Sequence, residues 1–393
     1  MAPFEHVFGV LDRIRSADIT VYPHRCVVVR NRNASCRRCA EACTAGALSI
    51  VDNGLTVEPD RCIGCGTCAT ACPTCALEAH HPTDDMLGRA LFEAAQANGG
   101  VAVMACRPMV ERGAQRLDCD RLVGVECLGR AHEGLFVSMA AAGISRVVLV
   151  HGSCESCPLD CGGAVARSVQ ETARALLEVW ESDCKIVWAD RFPASVRAAG
   201  EAVDADRRRF FFQMGDGVAR VAAAATEEAL APALADVGAE EPSVLKVMDD
   251  GTLPHFIPDR REMLLDCLAD LGQPRDELVT TRLWGHVMVD REQCVSCRMC
   301  ATFCSTGAIV KFDETDGSLG VLHRPADCVK CRCCEDVCPT DALALSDEVF
   351  ARDLIDGSVE RIDMDAPAID QADSKKVVWT MRDLLGCDDI FER

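Results

Sequence analysis

One repeated spacing of cysteines limits what this chain can fold into. Two segments near the C-terminal end read C-x2-C-x2-C-x3-C, and they are formed by Cys294, Cys297, Cys300 and Cys304 and by Cys328, Cys331, Cys334 and Cys338. A tight loop with this spacing wraps three thiolates around one face of a metal cluster, while the fourth thiolate reaches a second cluster. A zinc site uses four ligands in two pairs, which leaves this three-plus-one arrangement unexplained.

The spacing resembles that of the bacterial dicluster ferredoxins, including the proline that follows Cys338. In such proteins the fourth cysteine of one motif binds the cluster of the other motif. The resemblance implies one [4Fe-4S] cluster on Cys294, Cys297, Cys300 and Cys338. It implies a second [4Fe-4S] cluster on Cys328, Cys331, Cys334 and Cys304.

A related pair of motifs lies near the N-terminus, but its first motif lacks one cysteine. Asn33 stands where the first cysteine is expected, ahead of Cys36, Cys39 and Cys43. The nearest substitute is Cys26, at the start of the apolar run CVVVR, which we predict to fold back as a hairpin strand. The alternative is a more labile site with three thiolates or with an oxygen ligand. The two predicted ligand sets are Cys26, Cys36, Cys39 and Cys72, and Cys62, Cys65, Cys68 and Cys43.

The four motifs share the residues that follow them, which makes them an internal repeat. The segments that begin at the last cysteine of each motif read CTAGAL, CPTCAL, CSTGAI and CPTDAL. Short apolar stretches precede three motifs, which predicts the paired short strands and small helices of a ferredoxin fold. Cys75 stands where the other copies have glycine or aspartate, and Cys333 lies between two ligands. Neither is expected to bind a cluster.

Between these modules the sequence alternates between apolar strands and amphipathic helices. Strands are predicted over 101–105, 122–126, 146–150 and 186–189, and a long helix over 164–180. The pattern predicts an α/β domain with a mainly parallel sheet, whose carboxyl edge is where such sheets place ligands. Five cysteines follow the first three strands, so we expect a further [2Fe-2S] or [4Fe-4S] cluster there. They are Cys106, Cys127, Cys154, Cys157 and Cys161.

The segments MACRPMV, VECLGR and VVLVHGSCESCPLDCGG, each at the end of a strand, resemble the delta subunit of methyl-viologen-reducing hydrogenases over about residues 98–192. That iron–sulfur subunit links a hydrogenase to a heterodisulfide reductase. The resemblance implies a [2Fe-2S] cluster on Cys106, Cys127, Cys154 and Cys161, with Cys119 as the alternative fourth ligand. This chain departs from the family because Cys157 is interposed in the last segment.

The predicted architecture is a multidomain α+β and α/β chain. An N-terminal dicluster ferredoxin-like domain covers 1–82, the α/β domain 83–192, a helical linker region 193–282, a C-terminal dicluster ferredoxin-like domain 283–347 and an acidic extension 348–393. In the linker we expect a helix that Asp259 caps together with Glu262 and that ends at Gly272.

Composition limits the location and the partners of the chain. A formal net charge of −21 repels phosphate backbones, so nucleic acid is excluded as an expected partner. No run reaches the roughly 18 apolar residues of a membrane span, and the N-terminus lacks the basic and apolar regions of an export signal. We therefore expect a cytoplasmic protein, in which 27 cysteines indicate metal binding rather than disulfides.

The row of predicted clusters indicates an electron-transfer subunit, for which no catalytic residues are expected. A dinucleotide fingerprint, a nucleophile elbow and a histidine–carboxylate metal motif are all missing from the sequence. The family resemblance makes anaerobic heterodisulfide reductase-like, hydrogenase or formate dehydrogenase assemblies the expected hosts. The expected partners are a flavin-containing heterodisulfide reductase-like subunit and a hydrogenase or formate dehydrogenase catalytic subunit. The alternatives are a thiol–disulfide oxidoreductase using Cys154 and Cys157, and a redox sensor or cluster-delivery protein.

Overall fold

The computed structural model describes residues 18–113, 116–198, 245–249, 251–365 and 391–392. Its N-terminal module is built from short strands and helical turns. They are β1 (Ile19–Val21), α1 (Val27–Arg30), α2 (Arg38–Glu41), β2 (Leu48–Val51), β3 (Gly54–Val57), α3 (Thr67–Ala71) and β4 (Leu77–Ala79). Strand β1 pairs antiparallel with β4, and β2 pairs antiparallel with β3. This is the arrangement of paired short strands and small helices that the sequence predicts.

The segment after Cys26 is helical, so the predicted hairpin strand is wrong. Residues Val27–Arg30 form the single helical turn α1, and the strand that precedes this motif is β1, further upstream. Three consecutive valines favour a strand by local propensity. Here tertiary packing overrides that preference, because Val27, Val28 and Val29 are all buried in the core of the module.

The middle domain is an α/β domain with a fully parallel sheet, as predicted. Its elements are α4 (Asp84–Ala97), β5 (Val101–Cys106), α5 (Arg107–Gly113), β6 (Val123–Val125), α6 (Glu133–Ala141), β7 (Arg146–Val150), α7 (Asp160–Val179) and β8 (Lys185–Ala189). The strand order is β6-β5-β7-β8, and every neighbouring pair is parallel. Because all four strands run the same way, their carboxyl ends meet at one edge of the sheet.

Both faces of this sheet are covered by apolar side chains. Successive residues of a strand point to opposite faces, so Met104 joins the larger core while Val103 joins a smaller one on the other side. The larger core includes the buried faces of α4, α6 and α7, and it continues into residues 264–284 and 349–354. The α/β domain is thereby packed against the C-terminal half of the chain.

The C-terminal half repeats the pairing of the N-terminal module. Its elements are β9 (Leu245–Lys246), α8 (Asp259–Leu271), β10 (Leu278–Thr280), β11 (His286–Val289), α9 (Met299–Thr302), β12 (Ile309–Asp313), β13 (Leu319–His323), α10 (Cys333–Asp336), β14 (Leu343–Ser346), β15 (Glu348–Phe350), β16 (Glu360–Met364) and β17 (Phe391–Glu392). The pairs β11–β14 and β12–β13 correspond to β1–β4 and β2–β3. From the acidic extension, β16 adds a third strand beside β13.

The predicted linker helix forms as α8, but its cap differs from the prediction. The helix begins at Asp259 and its N-cap is Pro258, which makes no side-chain capping hydrogen bond, so Asp259 lies inside the first turn. The helix ends at Gly272, as expected, where φ is 104°. The greater part of the linker region, residues 199–244, lies outside the described residues.

The two ferredoxin-like modules share one hydrophobic core. Side chains of the N-terminal module, among them Val28 and Leu77, pack together with Leu253, Phe303 and Val337 from the C-terminal half. This shared core brings cysteines of both modules into one neighbourhood. In the described parts of the chain, no helix has the length and apolar character that crossing a bilayer requires.

Candidate iron–sulfur sites

Three of the four cysteine loops share an unusual backbone. In each complete motif the residue before the second cysteine and the residue after it both have positive φ. These residues are Gly64 and Gly66, Ser296 and Arg298, and Lys330 and Arg332. Left-handed residues that alternate with ordinary ones turn successive amide groups inward, which forms the anion-binding concavity found at many iron–sulfur sites. The loop geometry thus fits an anionic cluster held by the flanking thiolates.

The incomplete motif lacks this loop and uses a different element in its place. Asn33 is exposed, and its backbone N–H donates to Asn31 Oδ1 at 2.8 Å. Cys26 is buried at the N-cap position of α1, where the amides of Val28 and Val29 lie beside its sulfur. The predicted substitute ligand is therefore placed by a helical turn with its own inward-facing amides.

The predicted ligands of the N-terminal module fall into two groups of mutually close thiols. Burial, with the nearby Cys72 and Cys36, raises the pKa of Cys26 to about 11. Burial, with Cys72, Cys26 and Cys36, raises the pKa of Cys39 to about 12. These four thiols are called set B. Burial, with Cys65, Cys43 and Cys62, also raises the pKa of Cys68. These four thiols are called set A.

The C-terminal module contains two corresponding groups. Burial, with Cys304 and Cys328 nearby, raises the pKa of Cys331 to about 12. Cys331, Cys328 and Cys304 also lie near Cys334. We call this group set C (Cys328, Cys331, Cys334 and Cys304). Set D consists of Cys294, Cys297, Cys300 and Cys338, in which Cys297 lies near both Cys338 and Cys294. In both modules the fourth cysteine of each motif crosses to the other group, as the spacing predicts.

The raised pKa values have a chemical consequence. Cluster ligands are thiolates, but burial holds these thiols in the neutral form when no cation is near. A bound iron cluster would supply the positive charge that favours deprotonation, so the energy of cluster binding becomes part of the folding energy. Groups of four neighbouring thiols, buried or half-buried, fit a metal cluster better than they fit four free thiols.

The residues after each motif form the same turn in every copy. The backbone N–H four residues on donates to the last sulfur of three motifs: Ala47 to Cys43 at 3.1 Å, Ala76 to Cys72 at 3.3 Å and Ala342 to Cys338 at 3.2 Å. The residue three positions after that cysteine has positive φ in all four copies. It is Gly46, Cys75, Gly307 or Asp341. Cys75 therefore occupies a turn position, consistent with its predicted role outside the ligand sets.

The cysteines of the middle domain meet at the carboxyl edge of its sheet. Cys106 ends β5, Cys127 follows β6, and Cys154 and Cys157 follow β7. Burial, with Cys65, Cys106 and Cys154 nearby, raises the pKa of Cys127 to about 12. Burial, with Cys106 and Cys157 nearby, raises the pKa of Cys154. The structure thus brings Cys106, Cys127, Cys154 and Cys157 into one group.

Two glycines in the first turn of α7 make room for these sulfurs. A Cβ at Gly163 would lie 2.9 Å from Cys154 Sγ, and a Cβ at Gly162 would overlap Cys127 Sγ. Cys161, the neighbouring residue, is placed differently, because its side chain interacts with Asp160 and lies near Cys43 of set A. The resemblance implies Cys161 as the fourth ligand, whereas the structure groups Cys157 with Cys154. The assignment of the fourth ligand stays a prediction.

The sheet edge of the middle domain lies directly against set A. Cys127 interacts with Cys65, and Thr44 Oγ1 lies 3.4 Å from Cys65 Sγ. A Cβ at Gly162 would also contact Thr44 and Thr67, which flank the set A cysteines. The five cysteines of this edge, Cys106, Cys127, Cys154, Cys157 and Cys161, are called the rim cysteines below.

Buried guanidinium groups lie beside the thiol sets although the chain as a whole is acidic. Arg30, at the end of α1, is 3% exposed and interacts with Cys333, Cys304 and Cys331 in and around set C. Arg130 lies near Cys68, and Arg260 lies near Cys75 and Cys72. Arg130 and Arg260 share the carboxylate of Asp84, and a thiolate-bound cluster beside Arg30 would give that buried cation an anionic partner.

Sequence reasoning missed one group of side chains whose donor atoms could hold a metal ion. His286, His323 and Glu360 lie on three different strands, and one ligand atom from each lies within 4.8 Å of the others. The sequence separation from His286 to Glu360 is 74 residues, so no short motif connects them. The register between β13 and β16, which sequence patterns do not reveal, is what brings His323 and Glu360 together.

The comparison with known protein families agrees with the cysteine geometry. The model of the 4Fe-4S dicluster domain matches residues 34–76 and 293–342. The chain therefore contains two copies of a ferredoxin-type 4Fe-4S dicluster domain, which makes it an iron–sulfur protein. The second match includes every cysteine of sets C and D, whereas the first begins after Cys26. No curated protein and no solved structure matches the chain.

Proposed function

We propose that this chain is a multi-cluster electron-transfer subunit that relays single electrons between partner subunits of a cytoplasmic, anaerobic oxidoreductase complex. When bound, each iron–sulfur cluster supplies one-electron transfer. The observation that carries the proposal is the unbroken succession of thiol sets through the fold. It runs from the rim cysteines to set A, then to set B, set C and set D.

At three of the four steps, thiols of neighbouring sets lie close enough to interact electrostatically. Cys127 and Cys65 connect the rim to set A, and Cys39 interacts with Cys68 between sets A and B. Cys300 interacts with Cys304 and Cys334 between sets C and D.

The step from set B to set C crosses between the two modules, which are joined there by direct hydrogen bonds. Backbone and side chain of Ser35, next to Cys36, donate to Asp336 at 2.7–3.1 Å. Arg38 Nη2 donates to Lys330 O at 3.0 Å, which fixes the loop of set C against the loop of set B. Arg30 lies at the same junction, where its guanidinium donates to the carbonyl oxygens of His24 and Pro254. A buried positive charge at this point stabilises negative charge in its neighbourhood.

For the middle domain we propose a fifth cluster on the rim cysteines, with four thiols among Cys106, Cys127, Cys154, Cys157 and Cys161. The parallel sheet and the position of these thiols at its carboxyl edge support this assignment. The resemblance to the hydrogenase delta subunit favours a heterodisulfide reductase-like, hydrogenase or formate dehydrogenase assembly as host. We propose the flavin-containing and catalytic subunits of such an assembly as the partners.

The first experiment is the iron and acid-labile sulfide content of anaerobically purified protein. Four [4Fe-4S] clusters predict about 16 iron atoms per chain, and a rim cluster raises this to about 18 or 20. EPR-monitored reduction should then reveal magnetic coupling between clusters in adjacent sets. A protein with stoichiometric zinc and almost no iron, or with iron but no magnetic coupling on full reduction, would contradict the proposal.

A second candidate function is thiol–disulfide exchange at Cys154 and Cys157. The observation in its favour is that these two partly exposed thiols share a single 3-10 turn, Cys154–Ser156 with Cys157 as its C-cap. Against it, burial raises the pKa of Cys154, whereas an exchanging thiol needs a low pKa. Alkylation of the protein as isolated separates the two functions, because a catalytic pair labels after mild reduction and cluster ligands stay protected.

A further inference from the structure

Three strands of the C-terminal module bring two histidines and one glutamate together outside the thiol sets. His286 begins β11, His323 ends β13 and Glu360 begins β16. His323 and Glu360 are direct partners in the register of β13 and β16. The rings of His286 and His323 have their centroids 5.8 Å apart.

The ligand atoms of this group lie within 4.8 Å of one another, close to the spacing of donor atoms around a metal ion. His286 Nε2 lies 2.6 Å from Glu360 Oε2, and His323 Nδ1 lies 4.0 Å from the same oxygen. Ligand atoms around a tetrahedral zinc ion are about 3.3 Å apart, as follows from Zn–N distances of about 2.0–2.1 Å. The observed separations lie on both sides of this value, so shifts of less than about 1 Å would complete the site.

His323 is the feature that an ordinary hydrogen-bonded pair does not explain. Its side chain is 0% exposed, and neither ring nitrogen has a hydrogen-bond partner. A buried polar group without a partner costs about 1–3 kcal/mol, so native proteins rarely keep one without a reason. The hydrogen bond between His286 and Glu360 does not involve His323, whose Nδ1 lies 4.0 Å from the same carboxylate oxygen, too far for a hydrogen bond.

The chemistry of the three donors favours a divalent transition metal ion. Two imidazoles and one carboxylate are a frequent ligand set for zinc and for non-haem iron. His323 can offer Nδ1 as a donor atom, because this nitrogen lies 4.0 Å from Glu360 Oε2 and has no hydrogen-bond partner. His286 and Glu360 have side-chain exposures of 36% and 43%, which leaves the group open to ions from solvent.

We propose that His286, His323 and Glu360 bind one divalent first-row transition metal ion, for which Zn²⁺ is the matched probe. The site is separate from the cysteine sets and independent of the electron-transfer role. With three ligands from the protein, a further position stays available for water or for an external donor. The ion would join β11, which leads into the set D loop, to β13, which leads into the set C loop.

The test uses the full chain with its clusters in place, so that the cysteines are occupied. The protein is incubated anaerobically with Zn²⁺ alone and desalted, after which zinc is counted and the zinc K-edge X-ray absorption spectrum is recorded. The expected result is one retained zinc per chain with nitrogen and oxygen neighbours at about 2.0–2.2 Å. Sulfur neighbours at about 2.3 Å, or no retained zinc, would overturn the proposal.

Substitutions then assign the ion to these residues. His286→Gln and Glu360→Gln affect half-exposed side chains and should each weaken zinc binding at least tenfold while iron content stays unchanged. The matched control is Glu348→Gln, which removes an exposed carboxylate of the same module and should leave zinc binding unchanged. If both site variants retain zinc as tightly as the control, the ion lies elsewhere and the proposal is wrong. Should one variant also lose iron, the other variant and the wild-type spectrum still decide the question.

Discussion

Replacing Asp84 with asparagine should destabilise the whole assembly of modules, because its carboxylate is shared by two buried guanidinium groups. Asp84 Oδ1 lies 2.7 Å from Arg130 Nη2 and 2.9 Å from Arg260 Nη2, and Arg260 Nε also donates to this carboxylate. Burial alone would raise the pKa of Asp84, but Arg260, His132 and Arg130 together hold it well below its usual range. The Asp84 carboxyl is therefore ionised at neutral pH.

The loss of stability in Asp84→Asn depends on the hydrogen bonds and solvent contact that each arginine retains without the carboxylate. The side chains of Arg130 and Arg260 are 2% and 15% exposed, so neither charge can turn to water when the carboxylate is gone. Breaking one partner out of a buried ion pair costs about 3–5 kcal/mol. Arg130 still donates to Pro82 O, and Arg260 still donates to the carbonyl oxygen of Ala69 in α3. This places the expected loss at the lower end, about 3 kcal/mol.

Thermal unfolding of the anaerobic, cluster-loaded protein measures this loss. For a chain of 393 residues 1 kcal/mol corresponds to roughly 1–2 °C, so Asp84→Asn should lower the apparent Tm by about 3–6 °C. The unfolding is followed by cluster absorbance and by far-ultraviolet circular dichroism. The matched control is Asp85→Asn, which removes the neighbouring carboxylate in the same helical turn, where it pairs with Arg89 in solvent. The control should leave the Tm unchanged. Equal Tm values for the two variants would refute the reasoning.

Three further predictions concern the clusters and the pH response. Cys26→Ala should lower the iron content from about 16 or more to about 12 or more per chain, or should leave one [3Fe-4S] signal. The control Cys184→Ala, at another buried cysteine, should keep all iron. Full retention of iron in both variants would exclude Cys26 as a ligand. Arg30→Gln removes a buried positive charge beside set C, so one midpoint potential in an EPR titration should fall. For about 10 Å between the charge and the cluster and an effective dielectric constant of about 20, the fall is on the order of 70 mV. An unchanged set of potentials would contradict this. Burial lowers the pKa of His132 to about 3, below the value of about 6.5 in the unfolded chain. The contribution of the neutral ring to the free energy of unfolding is therefore complete above pH 6.5 and decreases as the pH falls towards 3. In the wild-type protein, His132 should lower the free energy of unfolding by about 1.4 kcal/mol when the pH falls from 7.5 to 5.5. His132→Asn keeps a capping side chain for α6 and should abolish this loss. If the Tm falls by the same amount between these pH values in both proteins, the prediction is wrong.

The cysteine groups were accessible to sequence reasoning because their geometry is local. A spacing such as Cys62–Cys65–Cys68 determines which sulfurs share a loop, and the parallel sheet follows from alternating strands and helices. The turn α1 was missed because local propensity at three valines pointed to a strand while burial decided for a helix. The group at His286 was missed for a different reason: it depends on how two sheets lie against each other.

The junction between the modules also lay beyond the sequence. Hydrogen bonds such as Ser35 to Asp336 join residues 301 positions apart, and no repeat or spacing marks them. The same is true of Arg30, which reads as an ordinary polar end to an apolar run. Its burial beside set C becomes evident only when the two modules are packed together.

The left-handed loop residues described above bear on how the protein matures. Gly64 and Gly66 adopt positive φ without strain, whereas Ser296, Arg298, Lys330 and Arg332 each give up roughly 1–2 kcal/mol to do so. Before iron and sulfide are delivered, the glycine loop can keep its cluster-ready shape at little cost. The C-terminal loops carry a backbone cost in the same shape, so we expect them to relax towards ordinary backbone until the cluster forms. Biogenesis should accordingly begin at set A and finish in the C-terminal module, and under iron limitation the chain should accumulate as a species with only its N-terminal module filled.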